Sequence, residues 1–250
     1  MKRLVLSFVG VLALAALPAA ALADWSDNFD LYPNGSSMHG QGGWKGWDND
    51  PTWTAYVTNV QSLSPPHSVD IAGNSDLVHE YDGYTSGHWT YTAWQYIPTN
   101  MVGESYFILL NTYNDLGPYN WSVQLDFMSS TGMLVGDCGA WDNVTMAYTP
   151  GQWAEIRVEI FLDPGDDWTQ VYYNGTLLDD PALADHPVLG GGYRWTGGIS
   201  GGGGGALDIG AVDLFANGAT SVYYDNMSLV PEPAAGLLLL LGAAVGLRRR

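Results

Sequence analysis

Apolar and polar residues alternate along several short stretches of this chain, and the alternation predicts β-strands. Residues 119–127 alternate over nine positions, and residues 153–162 do the same, with isoleucine and valine on one face and charged side chains on the other. A period of two places successive side chains on opposite faces of a strand. We therefore expect each of these strands to cover a hydrophobic core with one face.

Further predicted strands are separated by turn-forming residues. Residues 168–173 and 176–178 flank Asn174-Gly175, which predicts a hairpin because this dipeptide readily takes the positive φ angles of a type I′ turn. The remaining predicted strands are residues 26–31, 54–60, 68–71, 77–81, 88–97, 105–113, 207–215 and 222–229. The irregular segments 40–50 and 181–205 are predicted as loops. Many short strands without a helical period predict an all-β fold, an antiparallel two-sheet sandwich.

The N-terminal segment has the composition of a secretory signal peptide. Lys2 and Arg3 precede an apolar run at residues 4–17, and Ala21 and Ala23 supply the small residues of a cleavage site. We therefore predict that residues 1–23 form an apolar signal helix that is removed after Ala23. A retained N-terminal anchor is the alternative.

The C-terminal tail, residues 231–250, has three parts in series. They are the tripeptide Pro231-Glu232-Pro233, the apolar run 234–247 and the cluster Arg248, Arg249 and Arg250. Fourteen apolar residues form a helix of roughly 21 Å, which is short for a hydrocarbon core of roughly 30 Å. The three arginines are expected to stay on the cytoplasmic side.

With this motif, short helix and basic cluster, the tail resembles the PEP-CTERM sorting signal of Gram-negative exported proteins. The resemblance implies transient anchoring in the inner membrane by the helix, recognition by an exosortase-type enzyme, and removal of the tail near the tripeptide. It also implies release to the cell envelope or the extracellular matrix. An ordinary C-terminal membrane anchor is the alternative. Residues 24–230 are then left as one sandwich domain.

The body of the chain is strongly acidic. Five of the eight basic residues lie in the two ends, so residues 24–230 contain only Lys45, Arg157 and Arg194 against 25 acidic residues, a balance of about −22. Because neutralising phosphates needs a basic surface, no nucleic-acid partner is expected. Cys138 is the only cysteine of the chain, which excludes an intramolecular disulfide.

The body also resembles a concanavalin A-like jelly roll, the superfamily of lectins, laminin-G domains and glucanases. Three segments carry the resemblance: Asp27-Asn28-Phe29-Asp30 in the first strand, Trp153 leading into Tyr172-Tyr173-Asn174-Gly175, and Tyr223-Tyr224-Asp225-Asn226-Met227 in the last strand. The resemblance implies a curved sheet packed on a flatter one, with the first and last strands side by side. It further implies glycan binding on the concave face or at its rim.

Catalytic carboxylates are not apparent in the sequence. Glycoside hydrolysis needs two carboxyl groups, one protonated and one ionised. Glycanases of the superfamily commonly carry a Glu-x-Asp-x-Glu triplet on one strand, and the nearest candidate here is Glu155 and Glu159 with Arg157 between them. An intervening cation favours two ionised carboxylates and opposes a general acid. We therefore assign no catalytic residue and expect a solvated face with cross-strand ion pairs.

Aromatic side chains are the main candidates for glycan contact, because a ring offers a flat apolar face to the C–H face of a sugar. The candidates are the tryptophans in irregular segments rich in glycine or aspartate: Trp44, Trp47, Trp53, Trp141 and Trp195. Trp121, Trp153 and Tyr119 alternate with polar residues and are predicted to lie in the core.

Calcium is the one metal candidate, and no other cofactor is predicted. Asp27 and Asp225 are expected to supply its oxygen ligands if the terminal strands pair, because Ca²⁺ prefers carboxylates. Aspartates that bond their own backbone in turns are the alternative. No zinc spacing is present among the five histidines, which are His39, His67, His79, His88 and His186.

Three classes of function follow. The first is an exported surface or matrix protein with a lectin-like sandwich that binds polysaccharide without catalysis. The second is a structural or adhesive matrix protein without a saccharide site. The third is a glycan-cleaving enzyme, which the missing carboxylate pattern disfavours.

Overall fold

The computed structural model describes residues 24–138, 144–163, 165–180, 187–198 and 204–232, which form fifteen strands. The first eight are β1 (Trp25–Asp27), β2 (Trp44–Gly46), β3 (Tyr56–Thr58), β4 (Ser68–Gly73), β5 (Asp76–Glu80), β6 (His88–Tyr96), β7 (Glu104–Thr112) and β8 (Asn120–Met128). The others are β9 (Met133–Asp137), β10 (Val144–Ala147), β11 (Trp153–Phe161), β12 (Trp168–Tyr173), β13 (Thr176–Leu178), β14 (Ala211–Asn217) and β15 (Ala219–Pro231). Three short 3₁₀ turns, Trp47–Asn49, Pro51–Trp53 and Trp195–Gly197, are the described helical elements.

The strands form two antiparallel sheets. Sheet A has the order β13-β12-β11-β6-β15-β4-β3, with β1 paired to β15, and sheet B has the order β10-β9-β8-β7-β14-β5-β2. The prediction of an all-β, two-sheet antiparallel sandwich is confirmed. The pairing of the first and last strands is also confirmed, because Trp25 of β1 lies opposite Leu229 of β15.

The core lies between the inward faces of the two sheets. Val158 and Ile160 of β11 face Phe107 of β7 and Leu125 of β8 within one cluster of fully buried side chains. Burial of each such side chain contributes roughly 1.5–3 kcal/mol. The outward face of sheet B carries a second, smaller apolar cluster around Val78. This arrangement leaves two outer faces on which alternate strand residues point away from the core.

Most predicted strands lie within a few residues of the observed ones, and three short strands were missed. The missed strands are β2, β9 and β10, which have three to five residues each. The first predicted strand was too long: β1 ends at Asp27, whose Oδ1 accepts a hydrogen bond from the N–H of Phe29, a residue with a φ of 60°. The predicted hairpin is confirmed, since Asn174 and Gly175 have φ angles of 46° and 78° between β12 and β13.

The described chain ends inside sheet A. Pro231 is the last residue of β15, and the N–H of Glu232 donates to the carbonyl of His88 at 2.8 Å. The sandwich therefore continues two residues beyond the predicted boundary at residue 230. Among the described residues, no helix is long and apolar enough to cross a membrane. The two predicted terminal helices, and with them Ala21, Ala23, Pro233, Arg248, Arg249 and Arg250, lie outside the described residues.

Candidate functional site

Five side chains form a continuous row across the outward face of sheet A. Tyr56 of β3 is paired with Asp70 of β4, Asp70 with Tyr223 of β15, Tyr223 with Tyr96 of β6, and Tyr96 with Trp153 of β11. Their sequence neighbours point into the core, so these five point away from it. At about 4.8 Å between strands, the row spans roughly 19 Å. We call these five residues the sheet A row.

Three rings of the sheet A row, those of Trp153, Tyr96 and Tyr223, lie in contact in series. The ring centroid of Tyr96 is 5.6 Å from that of Trp153 and 6.2 Å from that of Tyr223, with tilts of 57° and 56°. Tyr56 is 54% exposed, Tyr96 and Trp153 are half-buried, and Tyr223 is largely buried. The strip is therefore a ridged surface rather than a flat one, and its apolar ring edges and faces are open to solvent at several points.

Two open clefts lie along the sheet A row. One, of about 340 Å³, is lined by Tyr96 and Tyr223, by Gln61 from the β3–β4 connection and by Asn100 from the β6–β7 connection. The other, of about 390 Å³, is lined by Tyr56 and Asp70. Because Ser221 lines the first cleft and its hydroxyl donates to Asp70 Oδ2 at 3.1 Å, the two clefts adjoin at the centre of the row.

The connection between β3 and β4 is held over sheet A by Asp225. The carboxylate of Asp225 accepts hydrogen bonds from the N–H groups of Leu63 at 2.7 Å and Ser64 at 3.0 Å, and from the N–H of Asn226 at 2.7 Å. Burial raises the pKa of Asp225, and these backbone donors oppose the rise. Asp225 thereby holds Leu63 and Ser64, which follow closely after Gln61 in the wall of the cleft beside Tyr96.

Asp70 is the one carboxylate of the sheet A row. Its Oδ2 accepts the Ser221 hydroxyl, whereas its buried Oδ1 has no hydrogen-bond partner. Burial raises the pKa of Asp70 to about 6, against the opposing effect of the Ser221 hydrogen bond. At neutral pH the group is therefore mainly ionised, and its Oδ1 is an acceptor that no described donor satisfies.

The carboxylates considered for catalysis are engaged by one cation. Arg157 pairs with both Glu155 and Glu159, and its guanidinium lies over the Tyr172 ring at 3.9 Å from the centroid. The expected ion pairs are present, but those of Arg157 lie within β11 rather than between strands. A guanidinium between the two carboxylates stabilises their ionised forms, so this pair is poorly suited to supply a general acid.

A second aromatic cluster lies on the outward face of sheet B. Trp47 is stacked on Trp121 with centroids 6.0 Å apart and an interplanar angle of 13°, and its edge contacts Tyr113 and Tyr119. The N–H of Asp48 donates to the Tyr113 hydroxyl, and the Asp48 carboxylate accepts the Tyr119 hydroxyl. These rings therefore cover one another and form a closed packing unit.

Comparisons with known proteins place the chain near several glycan-related structures without assigning it to a family. No protein-family model matches the chain, and no curated protein matches it. Trypanosoma rangeli sialidase in complex with the inhibitor DANA matches with a TM-score of 0.48 and 15% identity over 78% of this chain, which spans only 29% of the sialidase. All these likenesses have TM-scores below 0.5 and carry no argument about ligand or activity.

Two smaller neighbours match over most of their own length. The carbohydrate binding module CBM66 from Bacillus subtilis has a TM-score of 0.42 and 9% identity, covering 75% of this chain and 95% of the module. Domain 4 of AbnA, a GH43 extracellular arabinanase from Geobacillus stearothermophilus in complex with arabinotriose, has a TM-score of 0.46 and 13% identity, covering 75% and 81%.

The five tryptophans predicted as glycan contacts differ in how far they are exposed to solvent. Trp44 and Trp195 are buried in the core, so neither offers a free ring face, and their assignment is corrected to a structural role. Trp47 is half-buried in the sheet B cluster. Trp53 is 38% exposed and follows Thr52, which lines the cleft at Tyr56. Trp141 lies outside the described residues.

The structure also corrects the residues predicted as core and finds others that were missed. Trp153, Trp121 and Tyr119 are half-buried on outward faces rather than inside the sandwich. The sequence analysis did not select Tyr56, Asp70, Tyr96 or Tyr223. Their signal was the alternation itself, because each is a polar or aromatic residue between two core residues of its strand.

The predicted calcium ligands are used by the protein itself. Asp27 accepts the N–H of Phe29, the Tyr32 hydroxyl and the Trp44 indole N–H, and Asp225 accepts the donors of residues 63, 64 and 226. Within the described ranges, no group of three histidine, cysteine or acidic side chains is arranged to hold a metal. Calcium binding at Asp27 and Asp225 stays a prediction, and in this structure both carboxylates accept hydrogen bonds from the protein.

Proposed function

We propose that this chain is an exported, lectin-like jelly-roll protein that binds an extended polysaccharide across sheet A without catalysis. The observation that carries the proposal is the sheet A row beside two open clefts. It aligns three partly exposed aromatic rings, the buried ring of Tyr223 and one under-satisfied carboxylate across five strands. Aromatic faces bind the apolar face of sugar rings, and a carboxylate accepts their hydroxyl protons. A row of roughly 19 Å suits several consecutive sugar units better than one monosaccharide.

A binding role accounts for the chemistry of the row better than hydrolysis does. Asp70 is the single carboxyl group of the row, whereas glycoside cleavage needs a second carboxyl at a defined separation. Export is supported by the apolar leader and by the PEP-CTERM-like tail, which together suggest processing by an exosortase-type enzyme and a final place in the envelope or matrix. The sorting tail would then begin next to Glu232, whose N–H donates to the carbonyl of His88 in β6.

The decisive experiment compares glycan binding by two tyrosine variants on opposite sheets. Tyr96→Ala removes a half-buried ring from the row, and we expect at least ten-fold weaker binding to an extended polysaccharide, a loss of at least about 1.4 kcal/mol. Trp153→Ala should act in the same direction. Tyr106→Ala, which removes a half-buried ring from the outward face of sheet B, is the matched control and should leave the affinity unchanged.

The measurement is affinity electrophoresis and calorimetry on protein isolated from outside the producing cell, whose intact mass should lack the three C-terminal arginines. Equal affinity of wild type and Tyr96→Ala for every glycan that binds would remove the row from the proposal. No binding to any polysaccharide would favour the structural matrix component without a saccharide site. Release of reducing ends during the binding assay would instead favour the enzyme.

A further inference from the structure

The body of the protein has no free basic side chain to offer an anionic sugar. Its three basic residues are Lys45, Arg157 and Arg194, and the structure describes all three. Each is neutralised by acids: Lys45 by Glu80 and Asp115, Arg157 by Glu155 and Glu159, and Arg194 by Asp167. A uronate or sulfate group arriving at sheet A would meet a surface of net negative charge and find no unpaired cation to bind it.

Asp70 presents the opposite situation at the centre of the sheet A row. Its Oδ1 is buried without a hydrogen-bond partner, and no ion pair to Asp70 is found in the part of the chain that the structure describes. The rings of Tyr56 and Tyr223 flank it in register on the two neighbouring strands. A positively charged ligand group at this point would contact both an anion and aromatic rings.

We infer that the sheet A row selects glycans that carry free amino groups, with an ammonium group lying against Asp70, and that it rejects glycans that carry carboxylate or sulfate groups. The inference rests on the proposed glycan-binding role of the row and names its ligand class. An N–H donor with a positive charge forms shorter and stronger hydrogen bonds to a carboxylate than a hydroxyl does. An ammonium between two tyrosines also gains cation–π attraction, and the acidic body steers cations to the surface.

The test uses three soluble hexasaccharides of equal length: a glucosamine hexamer, its fully N-acetylated form and a galacturonate hexamer. The buffer is set at a pH slightly above 6, where just over half of the Asp70 carboxyl groups are ionised. We expect the glucosamine hexamer to bind the purified protein at least ten-fold more tightly than the acetylated form, and the galacturonate hexamer to show no binding. Added salt should weaken the first interaction strongly and the second little, because only the first depends on charge.

Asp70→Asn provides the internal check, because the amide keeps the shape of the side chain and removes its charge. The variant should lose the preference for the glucosamine hexamer, so that its affinities for the glucosamine and acetylated hexamers differ by no more than about two-fold. Asp126→Asn is the matched control, since Asp126 is a half-buried strand carboxyl on the outward face of sheet B with a pKa also raised to about 6. Its affinities should equal those of the wild type.

The outcomes separate this inference from the proposed function. Tight binding of the acetylated or galacturonate hexamer, weakened by Tyr96→Ala, would overturn the preference for amino groups and keep the row as a glycan site. A glucosamine preference that survives Asp70→Asn would overturn the role of Asp70. If the protein binds neither the three hexamers nor any polysaccharide of greater length, both proposals are contradicted together.

Discussion

At the residue scale, the surroundings of Trp44 explain why this side chain belongs to the core. Its ring lies 5.2 Å from the ring of His79 and 5.7 Å from that of Phe29, measured between centroids. Its indole N–H donates to Asp27 Oδ2 at 2.9 Å, and the Tyr32 hydroxyl donates to the same oxygen at 2.7 Å. Trp44 therefore contributes apolar burial and also holds β1 in place through its hydrogen bond to the Asp27 carboxylate.

We expect Trp44→Phe to lower the free energy of unfolding by about 2–4 kcal/mol. The change leaves a cavity where the larger indole was and removes one donor from Asp27. Urea unfolding followed by circular dichroism measures the loss. Trp53→Phe is the matched control, because Trp53 is 38% exposed, and its cost should stay within about 0.5 kcal/mol. Equal costs for the two variants would contradict the core role of Trp44.

The burial of single tryptophans could not be predicted from the sequence, for a physical reason. Alternation tells which residues share a face of a strand, but it does not tell which face is inside when both carry apolar groups. Trp153 shares its outward face with Glu155 and Arg157, and these ion-paired side chains are partly exposed to solvent. Trp195 lies in a segment predicted as a loop, yet its ring is buried in the core and its indole N–H donates to the carbonyl of Asp208.

At the element scale, β15 organises sheet A. It pairs with β6 along one edge and with β4 and β1 along the other, and it supplies both Tyr223 to the row and Asp225 to the overlying connection. The existence of β15 was predictable from its alternation. Its neighbours were not, because the row joins strands far apart in the sequence, such as those of Asp70 and Tyr223, and only their pairing brings them together.

Asp225→Ala should loosen the wall of the cleft beside Tyr96. The substitution leaves the buried N–H groups of Leu63 and Ser64 without their acceptor, which should cost about 2–4 kcal/mol of stability. Amide hydrogen exchange in residues 61–64 should accelerate, and polysaccharide affinity should fall although every ring of the row remains. The control is Ser64→Ala, which removes only the hydroxyl contacts to Asp225 and Asn226 and keeps both backbone donors. Unchanged exchange in Asp225→Ala would show that another contact holds the connection.

At the scale of the whole molecule, several buried carboxyl groups make folding depend on pH. Burial raises the pKa values of Asp70, Asp76 and Asp126 to about 6 from an ordinary 3.8. The buried Asp213 hydrogen-bonds to Asp76, and burial together with the Asp76 charge raises its pKa well above the ordinary value. His79 acts in the opposite direction, because burial lowers its pKa to about 4. The acidic composition was visible in the sequence, but these partnerships depend on strand register.

The sign of the pH effect follows from proton binding. Between about pH 4 and pH 6 the folded state keeps protons on Asp70, Asp76 and Asp126 that the unfolded state has released, so stability is fully present below about pH 4 and falls as the pH rises through 6. His79 offsets part of this fall, since the unfolded state binds its proton more readily below pH 6.5. With four carboxyl groups against His79 and the more weakly shifted His88, we expect a melting temperature several degrees higher near pH 4.5 than near pH 7.5.

Asp213→Asn isolates the carboxyl pair within this whole-molecule behaviour. The amide reproduces the protonated Asp213 side chain and can donate to Asp76, so the fold should be retained near pH 4.5. The decline in melting temperature toward alkaline pH should become shallower than in the wild type, because a buried carboxyl that resists ionisation is gone. Differential scanning calorimetry from pH 4 to pH 9 measures both slopes. Parallel curves for the two proteins, or a wild-type melting temperature that rises throughout this range, would show that the Asp76–Asp213 pair does not control the pH dependence.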